Sequence, residues 1–358
     1  MIELESVTER TQLVDPSGAL SEQVIEHRTD PLTGTVASLN RALGDKAKAF
    51  LGAADEDLLR ELEERSRPVC PFCHASEKGT RFVPDLVPEG QLRIGDALAI
   101  PNLFAKAGFD CVVVVDPARH VVFPSRIGPG ALADAIRAAA ELVRRARRHD
   151  PALVHHVAGM NFLGPGGSSV PHPHLQVHAR GVPYSGLART ERLADEFLAR
   201  TGKSYFAALL DLERGGPRHV GRTGDVEWIA AWAPLHQKEI WGVLPTTGSL
   251  AELSDRDAGA FAAGISKIVS SYEASGTHPF TLAFHSSPRD GAAPSFALHV
   301  KVCSRPAFRA QIVNYDTWFT PMFLGDEVHT EAPERTAERL RAAFTLRRVP
   351  RSSHGVVG

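Results

Sequence analysis

Apolar and polar positions alternate along this chain with two different periods, which predict strands and helices in succession. Residues 111–115 form an uninterrupted apolar run typical of a buried strand, and Asp116-Pro117 ends it. Residues 131–148 carry apolar side chains at helical spacing instead. The same pattern predicts a helix over 55–65, loops and turns over 79–95, and strands over 154–160 and 172–178.

A similar succession returns more than a hundred residues later in the chain. It predicts strands over 228–232 and 239–244, a helix over 254–272, and strands over 280–284 and 296–302. Such a repeat indicates a duplicated α+β unit rather than a solenoid, whose repeats are shorter. Chance alternation within an α/β chain is the alternative interpretation.

The strand predicted over 172–178 carries His172, His174, Gln176 and His178 at every second position. Side chains of a strand alternate between its faces, so these four are expected on one side and the apolar residues between them on the other. Three imidazoles and an amide suit a binding or catalytic surface better than a core. A lone His-x-His, by contrast, is more often a metal site or a surface feature.

A glycine-rich loop with Gly167, Ser168 and Ser169 comes just before this strand, and its N–H groups and hydroxyls can hold phosphate oxygens. A neutral imidazole can attack an α-phosphorus while fixed donors hold the charge that develops. The combination predicts a covalent nucleotidyl-histidine on His174, with Gln176 placed to donate to the phosphate.

Cys70-Pro71-Phe72-Cys73 is either a redox pair, half of a zinc site or a coincidence. Zinc requires two further ligands, and His120 and His172 are the best placed of the histidines. Four protein ligands predict a closed structural site. Three ligands with a bound water would predict hydrolysis, and the sequence leaves that alternative open.

These segments resemble the galactose-1-phosphate uridylyltransferase family, the branch of the histidine-triad superfamily with a His-Pro-His-x-Gln motif. The likeness covers residues 26–345 and rests on Arg28-Thr29-Asp30-Pro31-Leu32-Thr33-Gly34, Cys70-Pro71-Phe72-Cys73, Pro101-Asn102-Leu103-Phe104, Asp116-Pro117-Ala118-Arg119-His120, residues 167–176, His285-Ser286-Ser287-Pro288 and residues 333–340. It implies an α+β fold in which two histidine-triad-like halves form one mixed, largely antiparallel sheet flanked by helices. The implied organisation is an N-terminal arm over 1–25, halves over 26–185 and 186–345, and a disordered tail over 346–358.

The resemblance also implies a role for individual residues. Cys70, Cys73, His120 and His172 match zinc ligands, and His174 matches the nucleophile. The other matches are phosphate- or nucleotide-binding positions, namely Gln176, Ser169, Gly167, Ser168, Asn102, Asn161 and Arg41.

This chain departs from the family at two places. Some members hold a second metal, for which Glu191, His285 and His299 match three ligands, but Lys301 stands at the fourth position. An ammonium is no ligand, so we expect no second metal. Residues 325–330 also differ from the sugar-handling pattern, which predicts an altered sugar or acceptor pocket with Trp318, Phe319 and Phe323 beside it.

Net charge, apolar run length, the N-terminal sequence and the cysteine count indicate which class of protein this is and where it acts. The formal net charge of −2 argues against a general nucleic-acid binder, and no apolar run is long enough to span a membrane. The N-terminus lacks the pattern of a signal peptide, and four cysteines are too few for a disulfide scaffold. The sequence therefore predicts a cytoplasmic protein.

The implied reaction is a double displacement. A nucleoside diphosphate-sugar gives its nucleotidyl group to His174, releases a sugar 1-phosphate, and a second sugar 1-phosphate recovers the nucleotide. Inorganic phosphate as the acceptor would make the enzyme a phosphorylase of an NDP-sugar or a dinucleoside polyphosphate, and water would make it a hydrolase. A non-catalytic, zinc-stabilised nucleotide-binding protein is the alternative of another class, and a homodimer is implied.

Overall fold

A computed structural model describes residues 2–44, 52–289, 294–311 and 316–345, so the tail predicted over 346–358 lies outside the described residues. The strands are β1 Glu5–Val14, β2 Leu20–Thr29, β3 Val36–Asn40, β4 Leu92–Ile94, β5 Ala97–Pro101, β6 Phe109–Val114, β7 His155–Phe162, β8 His174–Arg180, β9 His219–Thr223, β10 Val226–Ala230, β11 Ile240–Leu244, β12 Phe280–His285, β13 Leu298–Ser304 and β14 Glu327–His329. The helices are α1 Glu56–Ser66, α2 Ala75–Lys78, α3 Pro129–His149, α4 Ser185–Thr201, α5 Tyr205–Glu213, α6 Asp255–Ala274 and α7 Pro333–Thr345. None of the helices within these ranges is both long and apolar enough to cross a membrane.

The larger sheet has ten strands in the order β4-β5-β6-β8-β7-β12-β13-β11-β10-β9. Counted from its outer strand, each half has the order first, second, third, fifth, fourth, and the two fourth strands, β7 and β12, pair at the centre. A helix, α3 or α6, connects the third and fourth strands of each half. The α+β duplication that the sequence predicts is therefore confirmed.

The sequence predicts one sheet with both parallel and antiparallel pairings, whereas the described residues form two sheets. Every pairing in the ten-stranded sheet is antiparallel, and the parallel pairing, β14 with β3, lies in a separate four-stranded sheet with the order β1-β2-β3-β14. Strands β1 and β2 occupy much of the segment predicted as an arm. All ten residues of β1 are exposed, which explains why no hydrophobic alternation marks this strand in the sequence.

Helices cover the two faces of the large sheet unequally. Both α3 and α6 pack across one face along its length, where they share one continuous core with the sheet. On the opposite face α4 and α5 cover the second half, packing on Trp241 and Val243. Over the first half, this second face carries Val112 and Val114 of β6 and the site described below. On this second face, α4 and α5 therefore cover only the second half.

Strand β8 begins two residues later than the sequence predicts. Pro171 and Pro173 lack an N–H group and cannot donate to a sheet ladder, so His172 lies before the strand. His174, Gln176 and His178 still share one face of β8, as predicted. His172 does not, and its ring is directed elsewhere.

The Asp-Pro-Leu-Thr segment forms a tight turn at the end of β2. Asp30 Oδ1 accepts hydrogen bonds from the backbone N–H groups of Leu32 and Thr33, at 3.0 and 2.7 Å. Next to it, the buried Arg28 guanidinium bonds to Glu334 at the start of α7 and lies 4.1 Å from the ring centroid of Trp232. These contacts join the small sheet to the C-terminal half.

Candidate active site and metal centre

Four side chains that the sequence predicts as metal ligands come together at one end of the first half. Cys70 and Cys73 lie in the turn between α1 and α2, His120 follows β6, and His172 precedes β8. Their ligand atoms all lie within 4.8 Å of one another. Within the described part of the chain, no other group of three or more such residues is this close.

Hydrogen bonds on the far side of each ring determine which nitrogen faces the cluster. His172 Nε2 donates to the carbonyl oxygen of Asp116 at 3.0 Å. His120 Nε2 donates to Ser66 Oγ at 2.8 Å, because that hydroxyl gives its own hydrogen to the Leu62 carbonyl. Each neutral ring therefore turns an unprotonated Nδ1 inward, which is the usual arrangement behind a metal-bound histidine.

The two inward nitrogens are 3.2 Å apart with no hydrogen to share, an arrangement that a cation would stabilise. The distance from each sulfur to His172 Nδ1 is 3.5 Å. A tetrahedral zinc ion with ordinary bond lengths requires edges of about 3.6 Å between sulfur and nitrogen and about 3.3 Å between nitrogens. The donor set and its spacing fit zinc.

Burial opposes charge on these ligands in the absence of an ion. Burial, with the neighbouring Cys70, raises the pKa of the Cys73 thiol to about 11. Burial lowers the pKa of His172 to about 4, so this ring is neutral at pH 7. A bound divalent cation would offset the first effect by stabilising the thiolates, and it requires the second, since a neutral imidazole is the ligand.

His174 connects the predicted nucleophile to this cluster through the backbone. Its Nδ1 donates to the carbonyl oxygen of His172 at 2.7 Å. That bond keeps the proton on Nδ1 and leaves the Nε2 lone pair free. Burial lowers the pKa of His174, which favours the neutral ring, and Phe72 packs against it at 4.7 Å between ring centroids. His174 is thus a fixed, neutral imidazole with one nitrogen available.

The glycine loop is held in a strained shape beside β7. Leu163 is buried and has a φ of +63°, which is costly for a branched residue and is tolerated where packing enforces it. Gly167 has a φ of +89°, and a Cβ there would lie 3.6 Å from Asn161 Nδ2, so these two residues are neighbours. Ser168 Oγ donates to the Val170 carbonyl, whereas Ser169 is exposed.

The strand register places further predicted residues beside the loop. Gln176 is paired with Val112 of β6 on one side and Gly159 of β7 on the other. Asn161, two residues beyond Gly159, lies on the same face. The structure therefore brings His174, Gln176 and Asn161 onto one face next to the glycine loop.

Asp110 is a component of the site that the sequence did not reveal. It is paired with His178, its side chain is fully buried, and its Oδ1 accepts from Asn102 Nδ2 at 3.0 Å. The distance from Asp110 Oδ1 to His178 Nε2 is 3.5 Å. A carboxylate at the start of an otherwise apolar strand was the available signal.

Arg41 lies apart from this face. It lines a cavity of about 470 Å³ together with Asn40, Glu22 and the C-terminal residues His329 and Glu331. None of the cavity's lining residues belongs to the His174 face. The structure thus does not bring Arg41 to the nucleophile within this chain.

The two histidines at the second-metal positions lie in a buried aromatic cluster. His285 and His299 stack with centroids 4.7 Å apart, and His299 is fully buried beneath α4 and α5. His299 Nδ1 bonds to the carbonyl two residues earlier, as in His174, which marks β13 as the counterpart of β8. Lys301 lies 4.1 Å from the Trp241 ring centroid and 3.9 Å from Glu239.

Comparison with known proteins shows one relative along most of the chain. An uncharacterized protein of Archaeoglobus fulgidus is 30% identical over 331 residues, which cover 92% of this chain and 95% of the relative. No family model matches the sequence.

Solved structures share the fold at low sequence identity. An ADP-glucose phosphorylase from Arabidopsis thaliana with bound ADP-glucose has a TM-score of 0.68 at 16% identity, covering 88% of this chain and 98% of that one. A GalT-like protein from the same plant has a TM-score of 0.66 at 16% identity with the same coverage. A uridylyltransferase structure has a TM-score of 0.61 at 19% identity, covering 70% of this chain and 85% of that one. The chain therefore belongs to one family with the Archaeoglobus fulgidus protein, and it shares the fold of the ADP-glucose phosphorylase, GalT-like and uridylyltransferase structures.

Proposed function

We propose that this protein is a nucleotidyltransferase that moves a nucleoside monophosphate group through a covalent bond to His174. The hydrogen bond from His174 Nδ1 to the His172 carbonyl carries the proposal, because it leaves Nε2 as a fixed nucleophile beside a glycine loop. The donor is a nucleoside diphosphate-sugar. Gln176, Ser169, Ser168 and Gly167 bind its phosphate oxygens.

The reaction has two displacements of the same kind. His174 Nε2 attacks the α-phosphorus, and the bond from that phosphorus to the bridging oxygen breaks, with its electron pair leaving on the sugar 1-phosphate. The Nδ1 proton stays hydrogen-bonded to the His172 carbonyl, which stabilises the positive charge that the ring acquires. An oxygen of the acceptor phosphate then attacks phosphorus and restores the neutral ring.

The metal centre has a structural part in this proposal. Cys70, Cys73, His120 and His172 would hold zinc, which supplies a fixed anchor rather than reactive chemistry, since four protein ligands leave no open position. His172 binds with its ring and positions His174 with its carbonyl. Asn102 and Asn161 hold the nucleotide.

Two acceptors are consistent with this site, a sugar 1-phosphate and inorganic phosphate. The altered tail favours the second, because Glu327 is buried in the small sheet instead of facing a sugar. Burial raises the pKa of Glu327 to about 7, as expected for a carboxyl group turned away from water. The Arabidopsis ADP-glucose phosphorylase, which shares the fold, gives a precedent for this alternative.

The test is a labelled intermediate. Incubation of the wild-type enzyme with α-³²P-labelled ADP-glucose or UDP-glucose, followed by a base quench, is expected to leave label on a peptide containing His174. Adding inorganic phosphate or a hexose 1-phosphate should discharge the label, and the acceptor that does so identifies the reaction. Failure of both labelled donors to modify the protein would contradict the covalent scheme.

We further propose that the enzyme works as a homodimer in the cytoplasm. Large apolar side chains are exposed near the site, at Leu103 and Phe104, and in the C-terminal segment, at Phe319, Met322 and Phe323. Contiguous exposed apolar surface is typical of an interaction site. Sedimentation analysis at micromolar concentration should give twice the monomer mass, and a purely monomeric profile would contradict this expectation.

A further inference from the structure

The loop between β5 and β6 is fastened to a single buried carboxylate. Asp110 Oδ2 accepts from the backbone N–H of Lys106 at 2.7 Å, and Oδ1 accepts from Asn102 Nδ2 at 3.0 Å. The backbone N–H of Asn102 also donates to the Asp110 carbonyl at 3.0 Å. These three hydrogen bonds hold residues 102–106 over the start of β6 and fix the position of the Lys106 backbone.

The second half of the molecule has the same anchor with a different cation. Glu239 Oε2 accepts from the backbone N–H groups of Leu235 and His236, at 2.9 and 3.0 Å. Its cation is Lys301, whose side chain is 24% exposed and lies on Trp241. Lys106 Nζ is 3.8 Å from Asp110, but its side chain is 55% exposed. The anchor is thus a repeated element of the scaffold, whereas the accessible ammonium belongs to the half that carries the nucleophile.

Lys106 lies over the face that carries His174. Asp110 is directly opposite His178 in the register, so both side chains are on the face shared with Gln176 and His174. Lys106 Nζ lies 3.8 Å from Asp110 Oδ2, and Asp110 Oδ1 lies 3.5 Å from His178 Nε2. The ammonium therefore lies beside the face of β8 that carries His178, Gln176 and His174.

We propose that the Lys106 ammonium binds the phosphate of the nucleotide at His174, an inference that rests on the proposed function. A phosphate beside the imidazole brings negative charge to a largely buried position, where a charged donor is most effective. Lys106 can turn to it without stranding Asp110, because both oxygens of that carboxylate keep their N–H donors. The loop supplies specificity for a phosphorylated ligand over the bare nucleoside.

Calorimetric binding of AMP, UMP, adenosine and uridine to the full-length protein tests this inference. Lys106→Gln should raise the Kd of AMP and UMP about ten- to a hundredfold, the range for a charged hydrogen bond, and leave nucleoside binding unchanged. Lys106→Arg keeps the positive charge and should therefore retain most of the wild-type nucleotide affinity. Lys203→Gln is the matched control, since Lys203 is equally exposed and pairs with Asp211 on the surface, and should change no Kd.

The outcomes separate this inference from the proposed function. Equal loss of nucleotide and nucleoside binding in Lys106→Gln, or no loss of either, would overturn the phosphate contact, as would a wild-type protein that binds neither nucleotide. His174 labelling is a separate result. A phosphate-specific loss in an enzyme that never labels would support the Lys106 contact and contradict the covalent chemistry.

Discussion

Replacing His174 with asparagine is expected to remove turnover and covalent labelling while leaving the fold and the metal centre intact. The asparagine Nδ2 can take the position of the imidazole Nδ1 and still donate to the His172 carbonyl, so the local hydrogen bond is kept. No nucleophilic Nε2 remains. Loss of a nucleophile predicts a decrease of at least about 10⁴-fold in kcat/KM, which corresponds to about 5 kcal/mol of transition-state stabilisation.

The matched control for this variant is His155→Asn. His155 lies on β7, paired with Arg180 of β8, and so shares the face of the site at its far end. Its replacement should change kcat/KM by no more than about twofold, the scale of an ordinary surface substitution. Melting temperature and metal content should match wild type in both variants. A His174→Asn enzyme with near-normal turnover would contradict the covalent mechanism.

The sequence predicted both halves of the large sheet well because their strands are buried and their helices are amphipathic. The helix predicted over 131–148 is Pro129–His149, and the strand over 280–284 is Phe280–His285. The hairpin of β1 and β2 could not be predicted in this way. Its first strand buries no side chain, so its stability comes from backbone pairing that leaves no hydrophobic period in the sequence.

The site shows the same division between what residue types reveal and what only the fold reveals. Cys70, Cys73 and His174 are chemically distinctive, and regular spacing in the chain identifies them. Asp110 acquires a role only because β6 pairs with β8 and places it opposite His178, and Lys106 acquires one because its backbone N–H donates to Asp110. Register is set by packing and turn geometry across distant segments, which a local pattern does not contain.

Arg41 illustrates the limit of transferring a motif position. The resemblance predicted a substrate-binding arginine, whereas the structure places Arg41 in a cavity between the hairpin sheet and the C-terminal segment. An arginine there can meet a substrate at His174 if a second copy of the chain supplies it. The predicted role of Arg41 therefore depends on the homodimer proposal.

Removing a metal ligand is expected to cause the largest loss of stability. Cys73→Ala removes one of the four ligands and its negative charge, so the cluster binds a cation more weakly. The unprotonated nitrogens of His120 and His172 then remain 3.2 Å apart. Because structural zinc contributes directly to folding, we expect a loss on the order of 5 kcal/mol and a melting temperature lower by about 10 °C or more. Chelation of wild-type protein should have the same effect, and added zinc should reverse it.

Metal analysis distinguishes loss of a ligand from simple loss of packing. Wild-type protein should contain about one zinc ion per chain, as a closed four-ligand site requires, and Cys73→Ala should contain little. Cys111→Ala is the control within the core, since Cys111 is fully buried on β6 outside the cluster, and His74→Ala is the control beside Cys73. Both controls should keep the metal even where Cys111→Ala lowers stability.

Because His172 binds the ion with its ring and positions His174 with its carbonyl, the Cys73→Ala enzyme should also lose His174 labelling. Full zinc content and normal labelling in that variant would show that the four residues do not form a metal centre.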